Sequence, residues 1–191
     1  DLAALLLEGG DHGVGHALGA ALGQRQLGVA HVEVPGLPRR EHPQGPVGDV
    51  EAVAAAYGEA LSRTPEAAIA DAIACVRRHQ RAGERVVVAT ACEEILARGF
   101  LAAVGLGDLD VVGSTGTLWP PRVRWAMGES KVAMLTERGC PPPWTAVYSD
   151  SASDLPLFAG TGRPVLVNGD EKDARRIERT LGRRPETVTW R

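Results

Sequence analysis

The 191-residue sequence predicts an α/β fold: a doubly wound parallel sheet with a small, mainly helical cap inserted near its start. Three observations carry this. Short apolar runs recur between turn residues, and they are continuous rather than alternating, as strands buried on both faces of a parallel sheet are. Helical patterns separate the later runs. A hydrophobic share of 44% with 24% charged residues suits one globular domain with a small appendage and is too apolar for disorder.

The first strand is expected in "LAALLL" (2–7). Residues 11–62 read differently, with Gly, Pro and His in loose order in "PGLPRREHPQGPVG" (35–48). Two helices are expected there, near 14–26 and 49–62, and "LGVAHVEV" (27–34) is a connection or a strand. This stretch is read as the cap, which leaves 1–10 and 63–191 as the core. Next, "TPEAAIADAIACVRRHQRAG" has Thr64 as N-cap, Pro65 at the first helical position, Glu66 in the first turn and Gly83 past the end. Ile69, Ile73 and Val76 fall on one face of it. Strand "VVVAT" (86–90) leads into helix "CEEILARGFLAAVGLG", and strand "LDVVGS" (109–114) precedes helix "GESKVAMLTERG". Strands "WTAVYS" (144–149) and "PVLVN" (164–168) and the charged helix "EKDARRIERTLG" complete the alternation. Ligands of such sheets bind at the carboxyl ends of the strands, so Thr90 and Asp150 share one mouth although far apart in sequence.

Several function classes are excluded at this stage. A net charge of −3 with no Lys/Arg run argues against a nucleic-acid partner. No apolar run approaches the ~18 residues of a membrane span. The opening "DLAALLLEGG" lacks a basic stretch and is read as a buried element rather than a signal peptide. The first residue is Asp1, so the natural reading frame is expected to begin upstream. Cys75, Cys92 and Cys140 are widely spaced without a CxxC pair, which points to reduced thiols in a cytoplasmic protein.

The stretch "VYSDSASDLPLF" (147–158) sets Asp150 and Asp154 four residues apart, directly after a strand. Alone, Asp150 reads equally as an N-cap and Asp154 as a first-turn acid favoured by the helix dipole. Taken with "VVVAT" ending at Thr90 and "GESK" with Lys131, it resembles the second, third and fourth motifs of the haloacid dehalogenase superfamily. Within that superfamily the chain is most similar to the phosphoserine-phosphatase-like subfamily, which the tail "RPVLVNGDEKDARRIERTLG" also resembles. The likeness covers roughly 65–190.

The resemblance implies hydrolysis of phosphate monoesters through an aspartyl-phosphate, with catalysis mainly by positioning and charge neutralisation. It implies that Thr90 donates to a phosphoryl oxygen and that Lys131 neutralises the phosphate. It makes Asp150 and Asp154 the metal residues. Asp150 would ligate Mg²⁺, and Asp154 would support the metal's water shell or orient the lysine.

The first motif of that family, Asp-x-Asp-Gly-Thr at the end of the first strand, is absent. Aligned on its glycine, "AALLLEGG" (3–10) places Leu6 at the nucleophile and Glu8 at the acid/base. The alternative, "VAHVEVPG" (29–36), places Glu33 at the nucleophile and Pro35 at the acid/base, and leaves little room for a cap. Leucine neither attacks phosphorus nor binds Mg²⁺, so the expectation is an impaired phosphatase that binds a phosphorylated small molecule or a protein partner. The competing expectation is an active Mg²⁺-dependent hydrolase using Glu8 or Glu33.

A glycine pattern in "GGDHGVGHALG" (9–19), with Glu33 about 20 residues further on, resembles the nucleotide site of short-chain dehydrogenases. The Tyr-x3-Lys of that family is missing after both Tyr57 and Tyr148. His12 and His16 lie four apart with no third ligand evident, so no metal site is expected there.

Overall fold

The computed structural model describes residues 2–5, 50–63, 68–118 and 121–191. Within them lie β1 (Leu2–Leu5), α1 (Val50–Ser62), α2 (Ala70–Arg81), β2 (Arg85–Glu93), α3 (Glu94–Ala103), β3 (Asp110–Leu118) and β4 (Pro121–Arg124). They continue with α4 (Gly128–Glu137), β5 (Trp144–Ser149), a 3₁₀ turn (Ala152–Asp154), α5 (Leu155–Ala159), β6 (Thr161–Val167), α6 (Glu171–Leu181) and β7 (Glu186–Val188). The described strands form one seven-stranded sheet in the order β4-β3-β2-β1-β5-β6-β7. All neighbours are parallel except β3 and β4. This is the doubly wound α/β architecture that the alternating runs predict.

The physical cause is burial on both faces. Val86, Val87, Val88, Ala89 and Thr90 are all buried, so β2 packs against helices above and below. One core joins Val87, Ala89 and Val147 to Met134 and Leu135 of α4, Phe158 of α5 and Ile177 of α6. The other joins Val86, Val88 and Tyr148 to Cys75 and Val76 of α2 and Leu101 of α3. Helix α6 shows how local chemistry sets the ends. Asp170 caps it by accepting from the Asp173 amide, and Gly182 closes it at φ +68° with its amide on the Glu178 carbonyl.

Some boundaries differ from expectation. Helix α2 begins at Ala70, behind Ile69, which makes no side-chain cap bond. Thr64, Pro65 and Glu66 lie outside the described residues. Asp71 supplies the negative charge that a helix start favours. Strand β2 runs three residues past Thr90, and its pairing with β3 shifts between Ala89 and Glu93. The helix expected from Cys92 therefore starts at Glu94, where the Glu93 carboxylate accepts from the Ile95 and Leu96 amides. Strands β4 and β7 escape periodicity because they have four and three residues respectively. Pro121 opens β4 at the sheet edge, where a missing N–H costs no ladder bond.

Most of the expected cap, 11–62, lies outside the described residues, together with His12, His16 and Glu33. Its last helix, α1, packs against α3, and a Cβ on Gly58 would collide with the Gly99 backbone. Helix α1 therefore rides closely on the helix that follows β2. No helix among the described residues is long and apolar enough to cross a membrane.

Candidate functional site

Central strand β1 organises the site. Leu5 pairs with Val88 of β2 on one side and with Tyr148 of β5 on the other. Thr90 and Asp150 each come two residues after those partners, one on β2 and one just past the end of β5, on the carboxyl side of the sheet. The described part of β1, Leu2–Leu5, brings no carboxylate to it. Leu6 and Glu8 lie outside the described residues.

Thr90 is buried, and its hydroxyl oxygen accepts from the Cys92 amide at 3.1 Å. That bond uses a lone pair and leaves the hydroxyl proton to donate elsewhere. The bend is braced by Ser114 of β3, which donates to the Ala91 carbonyl at 2.7 Å and accepts from the Ala126 amide at 3.0 Å. Ser114 thus ties the chain after Thr90 to the segment leading into α4. Gly113, next to it, permits the crowding: a Cβ there would lie 2.7 Å from the Glu94 Cα.

Lys131 is in the first turn of α4, with its amide on the Met127 carbonyl. Its side chain is fully buried, at 0% exposure. The ammonium meets Asp154 Oδ1 at 2.9 Å, and Asp154 is 1% exposed. The other carboxylate oxygen, Oδ2, accepts from the Ser149 hydroxyl at 2.7 Å. A solvated surface lysine is thereby ruled out. Asp154 thus spends one oxygen on the lysine and the other on Ser149. A sequence signal for Lys131 exists in hindsight: Lys131 and Lys172 are the two lysines among 21 basic residues. Ser149 and Ser114 were missed by the motif reading. Their signal is a hydroxyl near the end of an otherwise apolar run, which is unsatisfied when buried unless it has a partner.

Asp150 is half-buried at the end of β5, where the chain turns into Ser151. Ser151 caps the 3₁₀ turn by accepting from the Ser153 amide, and its hydroxyl lies 2.8 Å from that of Ser153. Among the described residues no group of three His, Cys, Asp or Glu is placed to hold a metal ion. Mg²⁺ demands near-octahedral oxygen ligation, built from carboxylates, waters and substrate phosphates. Both oxygens of Asp154 are engaged by Lys131 and Ser149, so the motif carboxylates among the described residues do not by themselves fit Mg²⁺.

Cys92 lies beside the mouth, and burial pushes its thiol up to about 11, with the Glu93 charge adding to the effect. Burial, and after it the Cys92 charge, also raises the Tyr57 phenol. A thiol pushed up in this way stays protonated near neutral pH, which disfavours it as a nucleophile. Iodoacetamide labelling of Cys92 is expected to keep accelerating from pH 8 to beyond pH 10. A plateau near pH 9, read by mass spectrometry, would contradict this.

The comparisons bear on this geometry. The structure is similar to the crystal structure of a protein of unknown function from Bordetella pertussis Tohama I, with a TM-score of 0.57 and 21% identity. That alignment covers 72% of this chain and 66% of the other, so the chain spans just under two thirds of that protein's length. At this identity the likeness speaks to the fold. No curated protein matches the chain. The sequence profile of the haloacid dehalogenase-like hydrolases matches residues 46–159, from α1 to the end of α5. That stretch is more than half of the chain and contains Thr90, Lys131, Asp150 and Asp154, and on this ground the chain belongs to the haloacid dehalogenase-like hydrolase family.

Proposed function

We propose that the mouth at the carboxyl end of the sheet binds a phosphoryl group, and that hydrolysis is impaired because no carboxylate stands where the family's nucleophile is expected. The observation that carries this is the fully buried Lys131, held by Asp154 at 2.9 Å. A buried ammonium is costly to desolvate unless its environment compensates it, so the fold holds a cation there at a cost. Thr90 donates its remaining proton to a phosphoryl oxygen, and Lys131 neutralises the anion. The ligand is a phosphorylated small molecule, in keeping with the phosphoserine-phosphatase-like motifs, or a phosphorylated group on a protein partner.

The position of β1 supports the alignment that sets Leu6 at the nucleophile and Glu8 at the acid/base. Leu2–Leu5 fill the central place between β2 and β5, which the alternative reading would give to the strand before Glu33. In this reading α1 is the end of a cap that covers the mouth, and the protein acts in the cytoplasm.

Purified protein with Mg²⁺ is expected to release no phosphate above background from phosphoserine or an aryl phosphate. It is expected to bind inorganic phosphate by calorimetry, about tenfold more weakly as Thr90→Val, because a hydrogen bond to a charged group is lost. A metal-dependent rate that disappears in Asp150→Ala would overturn the impairment. Phosphate binding that is absent, or indifferent to Thr90→Val, would overturn the anion site.

A further inference from the structure

We propose that Ser149 is a positioning residue that fixes the Lys131 ammonium and couples it to the loop carrying Asp150. The inference rests on the anion-site reading for its functional consequence, but its geometry stands independently. Ser149 is the last residue of β5 and is fully buried, at 0% exposure. The strand before it, from Ala146 to Tyr148, is buried too. A hydroxyl at such a position is unfavourable unless its polar atoms are matched.

The matching is specific. A serine hydroxyl has one proton and two lone pairs. Asp154 Oδ2 lies 2.7 Å from Ser149 Oγ, whereas the Ser151 carbonyl lies 3.5 Å away, so the proton goes to the carboxylate. A lone pair of the same oxygen accepts from the Ser151 amide at 3.2 Å. Ser151 is the residue after Asp150. The connection therefore runs from the Ser151 amide to the Ser149 hydroxyl, to Asp154, and on to Lys131. Each bond polarises the next, and Ser149, Asp154 and Lys131 are buried.

The consequence follows from rotamer physics. The terminal torsion of an aspartate is soft, so one contact does not fix the plane of its carboxylate. Two contacts on different oxygens do. Ser149 supplies the second and thereby sets where Asp154 Oδ1 holds the ammonium. An alanine would preserve the strand and its packing while cutting the connection in the middle. In a site that works by positioning charge, such a displacement registers in anion affinity.

Lysine labelling tests this directly, because the chain carries two lysines and Lys172 is exposed on α6. The intact protein is treated with formaldehyde and cyanoborohydride, and each lysine is followed by mass spectrometry. Lys131 is expected to be protected in the parent and to label about tenfold faster in Ser149→Ala, with Lys172 unchanged, reflecting one lost charge-assisted hydrogen bond. Phosphate affinity is expected to fall by a similar factor. Ser149→Thr, which keeps the hydroxyl, is expected to restore both. Should Ser149→Ala not fold, Ser149→Cys carries the same comparison, since a thiol is a weak donor of similar size.

Unchanged Lys131 labelling in a folded Ser149→Ala protein overturns the proposal, as does a Ser149→Thr protein that behaves like Ser149→Ala. If the parent binds no phosphate while Ser149→Ala still exposes Lys131, the anion-site reading fails and the positioning role of Ser149 stands.

Discussion

Lys131→Met is expected to destabilise the protein by about 3–5 kcal/mol, because it leaves the Asp154 carboxylate buried without its counter-charge. The side chains are 0% and 1% exposed, so water cannot replace the lost partner without opening the core. Domains of this kind are stable by only ~5–15 kcal/mol, so the variant approaches the edge of folding. The double variant Lys131→Met, Asp154→Leu is expected to recover most of the loss, since an apolar pair of similar volume removes the desolvation penalty along with the attraction. Urea unfolding midpoints of the two singles and the double form the required cycle. A folded double variant that no longer binds phosphate would separate the cost of the charge from its use. A single variant within about 1 kcal/mol of the parent would mean that the pair is solvated, contrary to the geometry.

Leu6→Asp combined with Glu8→Asp is expected to switch on Mg²⁺-dependent hydrolysis of an aryl phosphate by about 10²–10⁴ over the parent. In the proposed reading Thr90 and Lys131 already bind and neutralise the phosphoryl group. What is lacking is an oxygen to attack phosphorus, and the acid/base at 8 is a glutamate, one methylene longer than the family's aspartate. An aspartate at 6 supplies the first by forming an acyl phosphate, which water then cleaves. An aspartate at 8 restores the family's length for the group that protonates the leaving alcohol. The new carboxylate also joins Asp150 toward the two-carboxylate donor set that Mg²⁺ sites use. Release of phosphate followed in the parent, each single variant and the double decides the matter. A double variant as inert as the parent would show that the impairment lies elsewhere than at the end of β1.

The family's fold was legible in the sequence because its signals are local. Continuous Val, Leu and Ala runs reveal strands buried on both faces, and "YSDSASDLP" combined with Thr90 and Lys131 points to the superfamily. Helix and strand ends were less legible. The onset of α2 at Ala70 is not marked by a side-chain cap, and the continuation of β2 to Glu93 depends on its partner Ser114 across the sheet. Pairing with a distant strand leaves no trace in a short window of residues. The short edge strands β4 and β7 were missed for the same reason.

The sequence by itself determined the parallel α/β class and the alternation of its longer strands and helices, since these depend on residue type and spacing alone. Only the tertiary structure decided that β1 stands between the strands bearing Thr90 and Asp150. It alone decided that Lys131 is buried, that Asp154 turns both oxygens inward, and that Ser149 completes the connection. It also paired Tyr148 with His79 at 2.9 Å on the opposite face, a contact between residues 69 apart in the chain. The physical reason is one of range. Periodicity and capping act over one or two turns of chain, whereas burial and hydrogen bonding of a side chain depend on which distant elements the sheet brings beside it.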